Sequence, residues 1–213
     1  MSDNFEGVDS GMFGDALDIL GFDGSMTGLR TVWPGIKFYG KAMVVKMAVG
    51  TPGTFTADEI GLGRILASAN AGEVIVIDAG GAPISVWGEL AALDAQRIGV
   101  SGLIADAAIR DADIMTDLQF PTLTRHITPT AGKTRLKLDS INAGPVMAGG
   151  VTVRPGDFIF ADDSGAVVCP QAMLEDTLRE VQKVKDRESE FKKHLAKGLP
   201  YLEAAKQLGA SQM

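Results

Sequence analysis

Residues 73–105 of this 213-residue chain, EVIVIDAGGAPISVWGELAALDAQRIGVSGLIA, contain the hydrophobic patterns that indicate the fold class most clearly. The segment 73–78 is β-branched and almost uniformly apolar, which is typical of a strand buried on both faces of a sheet. Residues 87–98 have helical spacing and precede Gly99, a residue type that commonly ends helices. Residues 100–105 form the next apolar run. The simplest interpretation of these three segments is a strand–helix–strand unit with a right-handed crossover.

The segments on both sides of this unit continue the mixture of strands and helices. Upstream, apolar residues at helical spacing predict helices over 8–20 and 59–70, with a long strand over 41–49 between them. Downstream, residues 109–117 are read as a short helix. The pattern therefore predicts an α/β protein.

The second half of the chain predicts a β layer followed by one long helix. Residues 120–170 contain short apolar runs separated by Pro155-Gly156 and Ser164-Gly165, which indicates hairpins. Apolar residues at helical spacing then predict a helix over 171–197. We therefore predict a layered α/β sandwich with a mixed sheet and a long C-terminal helix.

Length and composition limit the domain count and the chemistry. No linker or low-complexity segment interrupts residues 1–213, so we predict a single domain. Twenty basic and 27 acidic side chains give a net charge of −7, and we expect no nucleic-acid partner. One cysteine, Cys169, excludes an internal disulfide, and two histidines leave little material for a Cys or His metal site. The remaining catalytic material is carboxylates, arginine, backbone amides and a hard cation.

The sequence has no pattern of a secreted or membrane protein. Residues 1–11, MSDNFEGVDSG, are acidic and polar, whereas a signal peptide combines a basic start with an apolar run. The longest apolar stretches, such as 74–77, have the length of a strand, not of a membrane span. We expect a cytoplasmic protein with no membrane partner.

Three familiar catalytic or phosphate-binding patterns are incomplete in this chain. Residues 132–134, Gly-Lys-Thr, match the end of a phosphate-binding loop, but Ile127 stands where that loop needs its first glycine. A Ser-His-Asp triad would have to use His126 or His194, but the sequence has no GxSxG motif to supply the nucleophilic serine. Cys169 lies in an apolar setting that is typical of a buried structural thiol. We read all three as unrelated to function.

Two acidic residues follow neighbouring strands of the predicted unit. Asp78 ends one strand and Asp106 ends the next, so both are expected at the carboxyl edge of a parallel sheet, where α/β proteins bind ligands. The glycine-rich loop after Asp78 runs into a helix whose N-terminal amides and dipole favour an anion. The next loop brings Arg110 and Asp111 to this edge, with Glu89 close by. A simpler reading makes Asp111 a helix cap and Arg110 a surface residue.

The final predicted helix carries an acidic residue on its apolar face. The apolar residues of this face are Leu174, Leu178, Val181 and Leu195. The face returns at Glu188, and a carboxylate on a buried face is costly unless a cation or a wet interface meets it. Alternatively, the face ends at Val184 and Glu188 is exposed.

Six segments together carry a family resemblance that extends from about residue 13 to 198. They read DALD at 15–18, GEL at 88–90, GVSGLIAD at 99–106, AIRD at 108–111, GGVTVRPGD at 149–157 and ADDSGAVV at 161–168. Their order and spacing resemble the RraA-like family, which includes the class II 4-hydroxy-4-methyl-2-oxoglutarate / 4-carboxy-4-hydroxy-2-oxoadipate aldolases. The resemblance implies a compact α/β sandwich that assembles as a homotrimer or a dimer of trimers, with active sites at subunit interfaces.

The resemblance also implies roles for particular residues. Asp111 holds a Mg²⁺ or Mn²⁺ ion directly, while Glu89 and, from a neighbouring subunit, Glu188 hold it through water. Arg110 contacts the pyruvyl part of the substrate, and it forms the catalytic set with Glu89 and Asp111. The substrate-binding segment comprises Ser85, Val86, Trp87, Gly88, Glu89 and Leu90. Glu190 is an alternative to Glu188.

One departure from the family pattern concerns the turn before Arg110. Relatives commonly have Asp-Gly where this chain has Asp106-Ala107, which affects the turn that carries the arginine.

The implied function is cleavage of a 4-hydroxy-2-oxo acid to pyruvate and a second oxo acid. The small-molecule substrate is of the 4-hydroxy-4-methyl-2-oxoglutarate or the 4-carboxy-4-hydroxy-2-oxoadipate type, and oxaloacetate decarboxylation is expected as a side activity. The founding family members are ribonuclease regulators that lack the metal-binding acid, so the alternative is a non-catalytic protein that binds a ribonuclease or another partner. The intact Arg110-Asp111 pair favours the enzyme.

Overall fold

The computed structural model describes residues 5–209, which form two compact units. Residues 24–174 form the first, which we call the sheet unit. Residues 5–23 and 175–209 together form the second, which we call the terminal unit. Each unit is described below by itself.

The strands belong to the sheet unit, whereas the helices are divided between the two units. The strands are β1 Ser25–Met26, β2 Arg30–Thr31, β3 Lys37–Val49, β4 Glu73–Asp78, β5 Ser85–Trp87, β6 Gly102–Ile109, β7 Thr122–Ile127, β8 Leu136–Ile141, β9 Val146–Ala148, β10 Val151–Val153, β11 Phe158–Asp162 and β12 Gly165–Cys169. The α-helices are α1 Ser10–Ile19, α2 Leu62–Ser68, α3 Glu89–Ile98, α4 Ala112–Asp117, α5 Leu174–Ala196 and α6 Tyr201–Gln207.

Ten of the strands form one mixed sheet in the order β1-β12-β11-β3-β4-β6-β7-β2, with β8 paired to β3 and β5 to β6. The centre of the sheet, β3-β4-β6-β7, is parallel, and antiparallel strands flank it. Strands β4 and β6 are buried along nearly their whole length, which accounts for their apolar sequences. The predicted mixed α/β sheet is confirmed, and its parallel centre defines one carboxyl edge.

The predicted β layer over 120–170 is also confirmed. Strands β9 and β10 form a separate hairpin whose turn, Gly149-Gly150, has positive φ at both residues. Strands β11 and β12 form the second hairpin, around Asp163-Ser164. The hairpin predicted at Pro155-Gly156 was wrong, because this turn joins β10 to β11, which belong to different sheets.

Several predicted element boundaries were wrong around the central unit. The strand predicted over 100–105 is β6, which continues through Ile109, a residue that was assigned to the following helix. Trp87, predicted as helical, lies in β5, which pairs with the far end of β6 and extends it. Helix α2 is shorter than the predicted 59–70. Local periodicity does not reveal the β5–β6 pairing, because the two partners are separated in sequence by a whole helix.

The terminal unit confirms both of its predicted helices. Asp9 caps α1 by accepting a hydrogen bond from the amide of Met12 at 2.9 Å, and Gly21, with φ of 75°, follows its end. Helix α5, preceded by a 3-10 turn, matches the long helix predicted over 171–197. No helix within residues 5–209 is long and apolar enough to cross a membrane.

The buried face of α5 includes the position of Glu188. The buried residues of this helix are Thr177, Val181, Val184 and Phe191. Glu188 falls on the same face and is half-buried, and its carboxylate accepts a hydrogen bond from Lys192 Nζ at 2.9 Å. Burial raises the pKa of Asp15 in α1, and the nearby charge of Glu188 raises it further. Leu195 was wrongly placed on this face; it is exposed, while Phe191 packs with α6.

Candidate active site

Asp78 and Asp106 lie side by side at the carboxyl edge of the parallel strands, as predicted. They stand in register on β4 and β6, and 2% and 5% of their surfaces are exposed. Lys46, opposite Asp78 on β3, donates a hydrogen bond from Nζ to Oδ2 of Asp78 at 2.7 Å. Arg125 on β7 donates two hydrogen bonds to Asp106, from Nε at 2.5 Å and from Nη2 at 3.1 Å. A row of four charges therefore crosses four strands, with the two neighbouring carboxylates between the two cations.

Backbone amides of the β9–β10 hairpin complete the surroundings of both carboxylates. The Met147 amide donates to Asp78 and the Gly149 amide donates to Asp106, each at 2.9 Å. Burial by itself raises the pKa of Asp78, but hydrogen bonds from Lys46 and from two backbone amides outweigh it and lower the pKa below its ordinary value. The two carboxylates attach the hairpin to the sheet, so their role is structural.

Arg110 and Asp111 follow the end of β6, at the entry to α4. Asp111 is left-handed, with φ of 56° and ψ of 43°, which is uncommon for a residue other than glycine. Its side chain does not cap α4, as the simpler sequence reading expected. Its Oδ2 instead accepts a hydrogen bond at 3.1 Å from the amide of Glu89, at the start of α3, and lies 3.3 Å from Arg110 Nε. Asp111 therefore joins the end of one strand to the start of another helix.

Gly88 permits the close approach of these groups. A Cβ atom at this position would lie 2.6 Å from Asp111 Oδ2 and 2.9 Å from Arg110 Nε, both closer than side chains tolerate. The backbone of Gly88 is extended, so the requirement for glycine comes from this contact alone. The neighbouring Trp87 carbonyl accepts a hydrogen bond from the Arg110 amide at 3.0 Å, which fixes the backbone of the arginine.

A cavity of about 250 Å³ opens beside Arg110. Its lining combines β5 and the start of α3, the start of α2, and the loop 131–133 that follows β7. Its charged lining residues are Arg110 and Lys133, and no acidic residue of the described chain lines it. Glu89 and Asp111 lie beside the cavity without lining it. Two cations without a lining carboxylate favour an anionic ligand.

All residues of the predicted substrate-binding segment except Glu89 line this cavity, from β5 and the first turn of α3. The buried members are Ser85, Val86, Trp87 and Gly88. The Ser85 amide donates to the Thr130 carbonyl at 3.0 Å, and the Glu89 amide is held by Asp111, so neither amide can bind a ligand. The amides of Leu90 and Ala91 have no acceptor within the helix and are free to bind an anion.

Lys133 and the start of α2 are cavity residues that the sequence reasoning missed. Residues 132–134 were noticed only as part of a phosphate-loop pattern, and rejecting that pattern was correct, because strand β8 follows them instead of a helix. The loop reaches the cavity through a parallel bridge between Ser85 and Ala131. No local pattern signals this bridge, because its two partners belong to distant segments.

The remaining predicted site residues are distributed between the two units. Glu89 is half-buried at the start of α3, and its side chain makes no polar contact within the described residues. Glu188 and its alternative Glu190 lie on α5 in the terminal unit. A hydrogen bond from Lys193 lowers the pKa of Glu190. Within residues 5–209, no three His, Cys, Asp or Glu side chains are grouped to hold a metal ion.

These features define a class of protein, in which a mixed α/β sheet carries an Arg–Asp pair and a cationic cavity at the carboxyl edge of its parallel strands. The chain belongs to the RraA-like family: the family model described as Aldolase/RraA matches residues 12–168. The family resemblance seen in the sequence is thereby confirmed.

Individual relatives agree with this assignment. A protein from Halalkalibacterium halodurans, named "Putative 4-hydroxy-4-methyl-2-oxoglutarate aldolase", is 31% identical over 84% of this chain and 80% of its own length. In another relative, "Protein DlpA" from Legionella pneumophila, the matching region is only 30% of the protein. The crystal structure of an uncharacterized protein from Pseudomonas syringae superposes with a TM-score of 0.83 at 27% identity, covering 95% of this chain and 94% of that one.

A second solved structure is that of Streptomyces coelicolor RraAS2, described as an unusual member of the RNase ES inhibitor RraA protein family. It superposes with a TM-score of 0.75 at 26% identity, covering 89% of this chain and 95% of that one. Enzyme-named and inhibitor-named relatives therefore share this fold.

Proposed function

We propose that the protein is a divalent-metal-dependent aldolase that cleaves a 4-hydroxy-2-oxo acid to pyruvate and a second oxo acid. The observation that carries this proposal is the arrangement of Asp111: one carboxylate oxygen is held by the Glu89 amide beside Arg110, and the other, Oδ1, has no hydrogen bond within the described residues. The aldolase name of a relative 31% identical in sequence supports the same reaction class.

Arg110 is the group that binds the pyruvyl half of the substrate. Its guanidinium borders the cavity and is about half exposed, with 47% of the side chain accessible. A planar guanidinium can meet the substrate carboxylate and the neighbouring oxygen with two parallel hydrogen bonds. The free amides at the start of α3 provide further donors for the same anion. Because the Trp87 carbonyl holds the Arg110 backbone beside the cavity, the guanidinium needs little reorganisation to stabilise charge that develops on the enolate oxygen.

The donor set around Asp111 fits a magnesium-type ion. Such ions are commonly held by one or two carboxylates and keep several waters, so the absence of a three-residue cluster within residues 5–209 does not count against them. Asp111 would hold Mg²⁺ or Mn²⁺ directly through Oδ1, with Glu89 and Glu188 of a neighbouring copy acting through water. When bound, the ion supplies Lewis-acid stabilisation of the developing negative charge.

The reaction breaks the C3–C4 bond of the substrate. A base removes the proton of the C4 hydroxyl, C4 becomes the carbonyl of the released oxo acid, and the electron pair of the broken bond remains on the pyruvate enolate. A water oriented by Glu89 is our candidate for that base. Protonation of the enolate at C3 then gives pyruvate. Decarboxylation of oxaloacetate produces the same enolate, so it is expected as a side activity.

Pyruvate release from oxaloacetate tests this function directly. The purified protein is assayed with Mg²⁺ or Mn²⁺, with and without excess EDTA, against the rate of the metal alone. We expect protein-dependent pyruvate formation that EDTA abolishes and added metal restores. No release from oxaloacetate or from several 4-hydroxy-2-oxo acids would reject the proposal.

We further propose that the active site is completed in a homotrimer or a dimer of trimers. Glu188→Gln and Asp111→Ala would each inactivate a site, but through different subunits. Mixing the two inactive variants under subunit exchange, verified by mass, would then regenerate sites in which both groups are intact. Verified exchange without recovered activity would place Glu188 outside the shared site, and Glu190→Gln, run in parallel, tests the alternative carboxylate.

The second candidate function is a non-catalytic regulator that binds a ribonuclease or another protein. The similarity to RraAS2 favours it, because that protein is described as a member of an RNase inhibitor family. The two candidates differ in their dependence on Asp111. A regulator would inhibit its nuclease without metal and would retain that inhibition in Asp111→Ala.

A further inference from the structure

A second cavity, which we call the edge cavity, has a volume of about 360 Å³ and lies at the edge of the sheet formed by β2 and β7. Its lining residues come from these two strands alone: Arg30 and Thr31 on β2, and residues 124–127 on β7. None of them lines the cavity beside Arg110. The edge cavity is therefore a separate site in the sheet unit, and the proposed reaction makes no use of it.

The edge cavity exists because β2 covers only part of β7. Strand β2 has two residues, and it pairs with Leu123 and Thr124. His126 and Ile127, which end β7, lie beyond this pairing and are exposed. Gly28, two residues before β2, has φ of 71°, which is a turn conformation and not that of a longer strand. The outer edge of β7 is therefore left open beside its last two residues.

Arg125 is held in a fixed orientation in the wall of the edge cavity. Its Nε and Nη2 donate hydrogen bonds to Asp106 at 2.5 and 3.1 Å, which fixes the plane of the guanidinium. The third nitrogen, Nη1, packs on the turn before β2, since a Cβ atom at Gly28 would lie 2.6 Å from it. Within residues 5–209, Nη1 has no hydrogen-bond acceptor. Arg125 therefore presents an oriented donor that the described protein does not use.

Arg30 supplies positive charge that the described residues do not neutralise. Its side chain is exposed and makes no ion pair or hydrogen bond within residues 5–209, and the same is true of His126. The exposed Arg97, by contrast, pairs with an acidic residue of its own helix. No acidic residue of the described chain lines the edge cavity. Since Asp106 neutralises Arg125, the net positive charge of the lining comes from Arg30.

One part of the edge cavity is apolar. Ile127 belongs to the lining, and 58% of its surface is exposed. A single exposed aliphatic residue is common on protein surfaces, but this one shares a concave site with two arginines. Cavities that bind small molecules combine such apolar surface with a few placed polar groups. The edge cavity therefore suits a ligand with one anionic end and one apolar end.

We propose that the edge cavity binds a small organic oxyanion with a short apolar tail, either a carboxylate or a phosphate monoester. Arg30 and Nη1 of Arg125 donate to the anionic oxygens, because guanidinium groups match the geometry of both kinds of anion. The His126 imidazole provides a further N–H donor, and the tail covers Ile127. The site uses no residue of the proposed active site, so it stands whether or not the protein is an aldolase.

Titrations of four anions, followed by ligand-observed NMR at low ionic strength without metal, test this site. The probes are acetate, butyrate, inorganic phosphate and butyl phosphate, and 1-butanol is the uncharged control that should not bind. We expect butyrate and butyl phosphate to bind roughly tenfold more tightly than acetate and inorganic phosphate, because the tail buries apolar surface on Ile127. The ratio of the two tailed anions shows whether the preferred ligand is a carboxylate or a phosphate monoester.

Three variants assign the binding to particular residues. Arg30→Met should weaken the binding of all four anions by roughly tenfold, the effect of losing a charged hydrogen bond. Ile127→Ser should instead reduce the butyrate-to-acetate affinity ratio towards one, with acetate binding unchanged. Arg154→Met is the matched control, because Arg154 is exposed in the same unit but lies outside the edge cavity, and it should change neither quantity. Urea denaturation verifies that each variant is folded.

A fourth variant, Arg110→Met, separates the edge cavity from the cavity beside Arg110, which also favours anions. Butyrate and butyl phosphate should bind this variant with the same tail preference as the wild type. Loss of binding in Arg110→Met together with unchanged binding in Arg30→Met would overturn the proposal, since the anion then occupies the other cavity. No binding of any probe at millimolar concentrations, or equal affinities for acetate and butyrate, would also overturn it. So would a lower mass of the Arg30→Met protein in solution, which would place Arg30 in a subunit interface.

Discussion

Acidic residues of two kinds lie at the carboxyl edge of the same parallel strands. They differ in whether all of their carboxylate oxygens accept hydrogen bonds from the protein. Asp78 and Asp106 are buried, paired with Lys46 and Arg125, and bonded to amides of the β9–β10 hairpin. Asp111 is less buried, with 30% of its side chain exposed, and its Oδ1 is open. A carboxylate whose acceptor sites are filled stabilises the fold, whereas one with an open oxygen can bind a ligand.

Backbone geometry shows the same contrast. Asp78 and Asp106 lie within strands and have no positive φ, although the register of β6 against β7 shifts between Ala105 and Ala108, whereas Asp111 is held in the left-handed region by its surroundings. Such a conformation costs on the order of 1 kcal/mol for a residue other than glycine, and it persists where the neighbouring structure enforces it. The Glu89 amide and the tight contact at Gly88 provide that enforcement. The open carboxylate is therefore also the strained one.

Neutralising Asp111, the carboxylate with the open oxygen, should have the largest effect on activity. Asp111→Asn retains the tolerance for a left-handed backbone and can still accept the Glu89 hydrogen bond, but it loses its charge. We expect metal-dependent pyruvate formation to fall by on the order of 10³-fold, with the free energy of unfolding nearly unchanged. Kinetics and urea denaturation of the same preparation measure both. Near-normal turnover would contradict a ligand-binding role for Asp111.

The same substitution at the filled carboxylate should have the opposite outcome. Asp106→Asn weakens a buried, doubly hydrogen-bonded pair with Arg125, so we expect the free energy of unfolding to fall by about 2–3 kcal/mol. Turnover per folded molecule should change little. Asp94→Asn is the control, because its pair with Arg97 is exposed and contributes within about 0.5 kcal/mol. Equal destabilisation by both variants would show that the buried pair has no special structural role.

Gly88→Ala would disturb the geometry around Asp111 and Arg110 without changing the charge of the site. The added Cβ would displace Asp111 and Arg110, and a misplacement of this kind reduces kcat by roughly 10- to 100-fold. Gly63→Ala is the matched control, since nothing lies within 4 Å of its Cβ position in α2. That variant should keep full turnover and gain about 0.5–1 kcal/mol in stability. A Gly88→Ala variant with the turnover of the wild type would contradict the requirement for close packing.

The smallest expected effect is the dependence of stability on acid at Asp78. Because the pKa of this carboxyl is lower in the folded protein than its ordinary value of 3.8, its contribution to stability is present above that value and is lost as the pH falls through the folded pKa. Urea denaturation between pH 7 and pH 3 should show the difference between wild type and Asp78→Asn shrinking below about pH 4. A difference that stays constant to pH 3 would contradict the lowered pKa.

Much of the fold was predictable because burial leaves a periodic trace in the sequence. The apolar run of β4 and the spacing of α3 were identified with correct or nearly correct bounds, and so was α5. The position of Glu188 on the buried face of α5 followed from the same periodicity. The end of β6 was misjudged because its pairing partner, β5, is contributed by the chain before α3.

The candidate site was predictable only in part. Arg110, Asp111 and Glu89 were placed together because loops after parallel strands meet at one edge of the sheet, and the structure brings them together. Lys133 was missed, since it reaches the cavity through a bridge between distant segments. The structural role of Asp78 and Asp106 was also not foreseen, because their partners belong to other strands and to the β9–β10 hairpin.

The local order of polar and apolar residues therefore predicts which segments are buried, most of the strands and helices that they form, and which residues stand at the carboxyl edge of the sheet. Tertiary contacts fix which carboxylates have all their oxygens hydrogen-bonded, which one keeps an open oxygen, and that Lys133 lines the cavity. These properties depend on pairing between segments that are far apart in the chain, and local periodicity carries no record of such pairing.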